Sequence, residues 1–219
     1  MFRFKGISSD DMKVIPKEEN FAVKPSQRFE AITIDGRDGE IFIPLGYESV
    51  EKELELQILD VDMVEDIMQW LNGDGELEYN GKISKAHFYP GYDVDRFVTL
   101  KKATVSYIRE PFWYKANDDY TTVTTSVVNE GNIYAKPLIK LTGTGTVDLS
   151  INGTRFKYTF TDPYVEIDCD NMTERYDGLS RSRNIEIGLE YPKLNPGENE
   201  IITHSGTCTI QIMRKDRWL

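Results

Sequence analysis

The feature that most constrains this chain is a two-residue alternation of apolar and polar side chains, which recurs along most of its length. In residues 52–59, KELELQIL, the side chains Leu54, Leu56 and Ile58 share one face, while Glu53, Glu55 and Gln57 share the other. A period of two is the signature of extended chain with one buried and one wetted face. Residues 96–100 (RFVTL) and 102–110 (KATVSYIRE) have the same character, with Ala103, Val105 and Tyr107 falling together in the second. One segment departs from it. Over residues 61–72, VDMVEDIMQWLN, the apolar residues Val64, Ile67, Met68 and Leu71 recur at helical spacing. Asp62 followed by Glu65 has the form of a capping box, and Gly73 is a natural stop, so the pattern predicts one amphipathic helix of about three turns between two strand blocks.

After Tyr114 the sequence becomes polar and rich in Thr, with turn chemistry at Asn129-Glu130-Gly131-Asn132. This stretch, near residues 115–130, is the expected linker, and it divides the chain into residues 1–125 and 126–219. Beyond it no helical period occurs. VDLSI and FKYTFTD flank Asn152-Gly153, a strong hairpin signal. Further strands are expected at YVEID, NIEIGLEY and TCTIQIM, with turns at Asn195-Pro196-Gly197 and Ser205-Gly206. Short strands with frequent turns predict a C-terminal β-sandwich of about 90 residues. The fold class is therefore mainly β, mixed in the first half and all-β in the second.

Composition narrows the function classes. The 219 residues carry 26 Lys and Arg against 37 Asp and Glu, a formal net charge of −11. That balance disfavours non-specific nucleic-acid binding, which needs cations for the phosphates, and a polybasic membrane anchor. Residues 48–78 hold eleven of the carboxylates and a single base, Lys52, so the charge is concentrated there. With 39% hydrophobic residues and 12 Tyr, 10 Phe and 3 Trp, the chain is not an acidic disordered one. No apolar run reaches the ~18–20 residues that span a bilayer, and the N-terminal MFRFKGISSDDMKV has no apolar signal core. The chain is expected to fold where it is made, and the sequons at Asn152 and Asn171 carry no weight.

Catalytic chemistry finds little support. His87 and His204 stand outside any ligand-spaced cluster, and neither a nucleophile elbow nor a phosphate-binding glycine loop occurs; Gly143-Thr-Gly145 reads as a bend. Asn72-Gly-Asp74-Gly-Glu76 resembles a calcium loop, but Leu77 and Ile83 stand where that loop needs Gly and Glu, and the simpler reading is a helix C-cap and turn leading into a strand. Asp168-Cys-Asp170 offers two carboxylates, too few for a site. Cys169 and Cys208 read as small buried apolar residues, with a disulfide as the alternative. No catalytic, metal or cofactor residue is assigned. Carboxylate pairs for glycoside hydrolysis occur by chance among so many acids, and Tyr158, Tyr164, Trp113 and Trp218 suit either sugar stacking or a core.

The order of the motifs goes further. FRFKGISSDDM at the start, IDGRDGEI at residues 34–41, the helix ending in QWLNGDGEL, and REPFWYK at 109–115 follow one another in the first half. NEGNIYAKPLIKLTGTGTVDLSING opens the second half, and LNPGENEIITHSGTCTIQI with the terminal RKDRWL closes it. In this order, from residue 2 to 219, the chain resembles the distal tail protein family of long-tailed, non-contractile bacteriophages. The resemblance implies a hexameric ring at the distal end of the tail tube, lying between the major tail tube protein and the tail-associated tip protein. In some phages it carries receptor-binding proteins. It also implies an N-terminal β-sandwich with a helix and a hairpin that belts neighbouring subunits, followed by a galectin-like or carbohydrate-module-like sandwich. The second half here leaves no room for the sugar-binding arms of some members.

On this reading the location is the virion tail tip, with the host cytoplasm as the place of assembly, DNA only in transit, no cofactor and no membrane anchor. YIREPFWY (107–114) and the helix face bearing Trp70 are the candidate subunit interface, with Trp70, Phe112, Trp113 and Tyr114 as its aromatics and a core location as the alternative for each. The wet face of KELELQIL, with Glu51, Glu53 and Glu55, is the candidate channel lining, where like charge would repel passing DNA. The alternative is a carbohydrate-binding module acting in surface attachment.

Overall fold

Alternation becomes sheet along most of the chain. The computed structural model describes residues 1–17, 21, 23–89, 91 and 99–219. It divides into two units, Met1–Ala116 with Leu219, and Asn117–Trp218.

The first unit contains β1 (Phe2–Phe4), β2 (Ile7–Ser8), β3 (Val14–Pro16), β4 (Gln27–Thr33), β5 (Glu40–Tyr47) and β6 (Val50–Ile58). A 3-10 turn (Val61–Met63) leads into helix α1 (Val64–Trp70), then β7 (Gly73–Tyr79), β8 (Lys82–Phe88), β9 (Lys102–Arg109) and β10 (Trp113–Lys115). Its main sheet runs β2-β1-β7-β8-β9-β6-β3, with β10 also on β8. Inward residues of these strands, among them Phe2, Phe4, Leu54, Leu56, Ile58, Leu77, Phe88, Val105 and Tyr107, are buried together with Val64, Ile67 and Trp70 of α1. Trp70 ties the helix to the sheet: its ring stacks on Phe2 at 5.4 Å, and its Nε1 donates to the Phe4 carbonyl at 2.8 Å.

The helix is shorter than the period suggests. Asp60 caps the preceding 3-10 turn by accepting from the Asp62 backbone N–H at 3.1 Å. Asp62 is thereby held inside that turn, and α1 starts after Met63 with no side-chain cap. The first three residues of the expected helix are thus spent in the tighter turn. Of the expected strand RFVTL, residues 96–98 lie outside the described residues, and Thr99 and Leu100 are helical.

The second unit contains β11 (Thr121–Val123), β12 (Ser126–Asn129), β13 (Leu138–Gly143), β14 (Thr146–Ile151), β15 (Thr154–Thr159) and β16 (Tyr164–Asp168). These are followed by β17 (Thr173–Tyr176), β18 (Leu179–Ser180), β19 (Ile185–Ile187), β20 (Gly197–Ser205), β21 (Cys208–Met213) and β22 (Arg217–Trp218). One sheet runs β11-β21-β13-β16-β17-β18 and the other β12-β20-β14-β15-β19. Ile139, Leu141, Val165, Ile167 and Ile212 from the first share a core with Val147, Leu149, Phe156, Tyr158 and Ile201 from the second. This is a two-sheet sandwich. Asn152 and Gly153, at φ +48° and +81°, make the two-residue turn between β14 and β15. Both positions need the left-handed region that Asn and Gly reach most easily.

Asp148 of β14 is buried beneath Arg155, which grips it with Nε at 2.8 Å and Nη2 at 2.6 Å. The hydrogen bond from Arg155 holds the Asp148 carboxyl below its ordinary value. A carboxylate depressed on folding stabilises the native state above its unfolded pKa, and the contribution fades as pH falls through the folded one. Asp148→Asn should therefore lower the melting temperature at pH 7. Its deficit should vanish on acidification below the ordinary aspartate value of 3.8, as read by calorimetry across pH.

Candidate assembly surface

The hairpin β4–β5 is the part of the first unit that alternation alone does not bury. Its strands pair with each other and with no other strand among the described residues. The register sets Phe29 opposite Pro44, Ala31 opposite Phe42, Glu30 opposite Ile43 and Ile32 opposite Ile41. One face therefore carries Phe29, Ala31, Phe42 and Pro44, and the other carries Ile32, Ile41 and Ile43. Phe29 is 56% exposed and Phe42 58% exposed, edge to face at 5.0 Å. Ile32, Ile34, Ile43 and Leu45 are exposed as well. A two-stranded ribbon is marginal by itself, and a contiguous exposed apolar patch marks a contact site.

Gly36 and Gly39, at φ +80° and +81°, close the tip. The root is fastened where the Glu48 N–H donates to the Ser26 carbonyl at 2.9 Å and the Tyr47 ring meets Phe112 at 5.4 Å.

The outer face of the main sheet is acidic. Glu51, Glu53 and Glu55 are exposed on β6, opposite Ile108, Ser106 and Thr104 of β9. A second column, Asp74, Glu76 and Glu78, lies on β7 across β8. Register places Glu51, Ile108, His87 and Asp74 in a single row across β6, β9, β8 and β7. His87 Nδ1 sits 2.8 Å from Asp74 Oδ1, and Tyr89 stacks on the His87 ring while its hydroxyl donates to Glu51. That bond to Glu51 pushes the Tyr89 phenol up. At the β3 edge Lys17 approaches Glu55 at 3.7 Å, and its ammonium beside Lys102 holds Lys102 below the usual lysine value. Reading residues 72–76 as a turn conceals the second column; the alternation of Asp74, Glu76 and Glu78 is the signal that reveals it.

The aromatics expected at the subunit contact sit mostly inside the unit. Trp70 is 4% exposed, Phe112 and Trp113 are buried, and Tyr114 on β10 is half-buried. Phe112 lies at the hairpin root, and the Trp113 ring lies 4.9 Å from the Arg109 guanidinium.

The second unit presents no open aromatic platform among its described pairs. Tyr158 is fully buried, Lys140 lies over Tyr164 at 4.2 Å, Arg181 over Tyr176 at 5.6 Å, and Arg217 over Tyr134 at 5.5 Å. Asp168 is occupied locally. Burial raises its carboxyl, but the hydrogen bonds from Asn171 and the Asp170 N–H outweigh that and leave it lowered. Asp170 pairs with Lys136 at 2.8 Å. Among the described residues no group of three His, Cys, Asp or Glu converges as a metal site. His204 Nε2 meets the Ser150 hydroxyl at 3.0 Å. Both cysteines are free thiols, and burial pushes the Cys169 thiol far up. No helix among the described residues is long and apolar enough to cross a membrane.

No family model matches the sequence, and no curated protein matches it. Solved structures do. The SPP1 Dit protein, described as a paradigm of the hub adsorption apparatus in Gram-positive-infecting phages, is 14% identical. It superposes with a TM-score of 0.68 over 100% of this chain and 98% of its own. The phage p2 baseplate in its activated conformation gives TM-scores of 0.41 with Sr and 0.39 with Ca, at 10% and 11% identity. Each covers 93% of this chain and 91% of the other, an overlap too loose to bear on the fold. From end to end the chain thus shares the fold of the SPP1 Dit protein.

Proposed function

We propose that the protein is a structural virion component, a homo-oligomeric hub ring at the distal end of a phage tail, between the tail tube protein and the tip protein. The observation that carries this reading is the β4–β5 hairpin, which exposes aromatic and aliphatic side chains that a monomer has no reason to display. Repeated contacts between such a hairpin and the next copy are heterologous, and they close into a ring when the rotation permits. The full-length fold likeness to a hub protein supports the same reading. A sandwich whose Tyr164, Tyr176 and Tyr134 each lie under a cation lends no support to sugar stacking. Light scattering of the purified chain across concentration tests the proposal: ring-sized mass supports it, and a monomer at every concentration contradicts it.

In that ring the acidic face formed by Glu51, Glu53 and Glu55 with Asp74, Glu76 and Glu78 borders the bore and repels DNA phosphates in transit. These side chains are surface groups, so Glu51→Gln, Glu53→Gln and Glu55→Gln together should change stability by no more than about 0.5 kcal/mol per site. The corresponding Lys variant should instead acquire salt-dependent DNA binding in a filter or anisotropy assay, which the native chain should lack. An equal, weak response of both proteins to DNA would remove the charge from the account.

A further inference from the structure

The β4–β5 hairpin forms no sheet with the rest of its unit among the described residues, so its direction is set at its root. One buried side chain ties that root to the sheet, directly on the incoming leg and through Phe112 on the outgoing one. Arg109 ends β9 in the body of the sheet, opposite Val50 on one side and Ala86 on the other. Arg109 as a whole is 1% exposed. Nη2 donates to the Val23 carbonyl at 2.6 Å, on the incoming leg. Nη1 donates to the carbonyls of Glu110 at 2.8 Å and Pro111 at 3.1 Å, which hold the segment presenting Phe112 to Tyr47 on the outgoing leg. Trp113 packs against the guanidinium face at 4.9 Å.

Burying a guanidinium costs several kcal/mol in desolvation, and apolar replacements of buried ions are often neutral for stability. What an apolar side chain cannot supply is a rigid fork of donors aimed at fixed carbonyls. We propose that Arg109 is the positioning residue that aims the hairpin, so that assembly depends on it although its side chain lies off the assembling surface. The dependence of assembly rests on the ring reading; the aiming does not.

The test separates the two. Spin labels at Arg37→Cys in the hairpin tip and Lys85→Cys on β8, in a Cys208→Ser background, report the hairpin's direction in dilute monomer. Cys169 is buried and out of the label's reach. The parent should give one narrow distance distribution. Arg109→Lys keeps the charge and loses the fork, and Phe112→Leu keeps an apolar side chain and loses the ring against Tyr47. Both variants should broaden or displace that distribution while the calorimetric transition of the unit persists. The concentration for half-assembly should rise by about tenfold or more. If Arg109→Lys fails to fold, Arg109→Met, an apolar replacement of the buried ion that lacks the fork, carries the comparison. An unchanged distribution overturns the aiming role, and a broadened one with unchanged assembly overturns the dependence of assembly on it. A parent that never assembles overturns the ring reading and leaves the distances to decide the aim.

Discussion

Phe29→Ser combined with Phe42→Ser should leave both units folded and release the ring to monomers. The two rings are 56% and 58% exposed in the single chain, so a partner buries only the remaining half of each. At roughly 1–1.5 kcal/mol for half a Phe side chain, the pair contributes about 2–3 kcal/mol per subunit contact. A closed ring of six subunits holds six such contacts, one per subunit, so the assembly midpoint should move by roughly two orders of magnitude. Because neither ring belongs to the main core, the melting temperature of the monomer should stay within a few degrees, and solubility should rise as the exposed patch shrinks. Sedimentation velocity with a parallel thermal melt reads both quantities. A double variant that still assembles at the parent's midpoint would place the subunit contact elsewhere.

Trp70→Ala should do the reverse and damage the fold. The indole is 4% exposed, stacks on Phe2 and donates its N–H to the Phe4 carbonyl. Truncating a buried Trp costs about 3–5 kcal/mol, and the unpaired carbonyl adds to that. Against a typical domain stability of about 5–15 kcal/mol, this is a large share. For a unit of this size the first melting transition should fall by on the order of 15 °C. The contrast with Phe29 and Phe42 is the point. If Trp70→Ala left the melt unchanged and abolished assembly, Trp70 would be a contact residue and its packing against Phe2 would be incidental.

These two variants also mark where sequence reasoning succeeds and where it stops. The alternation in KELELQIL and KATVSYIRE reports the strand faces directly, because period two is a property of extended backbone and Leu54, Leu56, Val105 and Tyr107 had only one way to be buried together. Asn152-Gly153 was legible for the same local reason: two consecutive left-handed residues leave little choice of turn. The hairpin strand β5 is apolar on both faces, from Ile41 to Leu45, and neither face is buried; period says nothing about which apolar face the chain itself will cover. Trp70, Phe112 and Trp113 show the converse. Aromatic content marks them for a contact, while Phe2 and Phe4, far away in sequence, cover Trp70, and the nearby Arg109 covers Trp113 within the unit. The helix start was misplaced by one competing local bond, the Asp60 cap, which captures Asp62 in a 3-10 turn before the capping box can form. The second acidic column was hidden by glycines at positions 73 and 75, which read as turn chemistry yet sit in a strand; a Cβ at Gly75 would lie 2.7 Å from the Phe4 ring, so close packing explains the glycine there.

The acidic face gains its meaning only from placement. Concentrating charge in residues 48–78 is compatible with any solvated surface, and register alone makes it a two-column face with His87 and Ile108 between the columns. In a ring with that face outward, the charge would serve solubility alone.

The most direct test is electron microscopy of the purified full-length chain at concentrations above its assembly midpoint, with three-dimensional reconstruction. The expected result is a closed six-fold ring in which the Phe29 and Phe42 face of each hairpin lies against the next subunit and Glu51, Glu53 and Glu55 border the central opening. Single particles of monomer size at every concentration, or a ring whose subunits meet with the hairpins free in solvent, would contradict it.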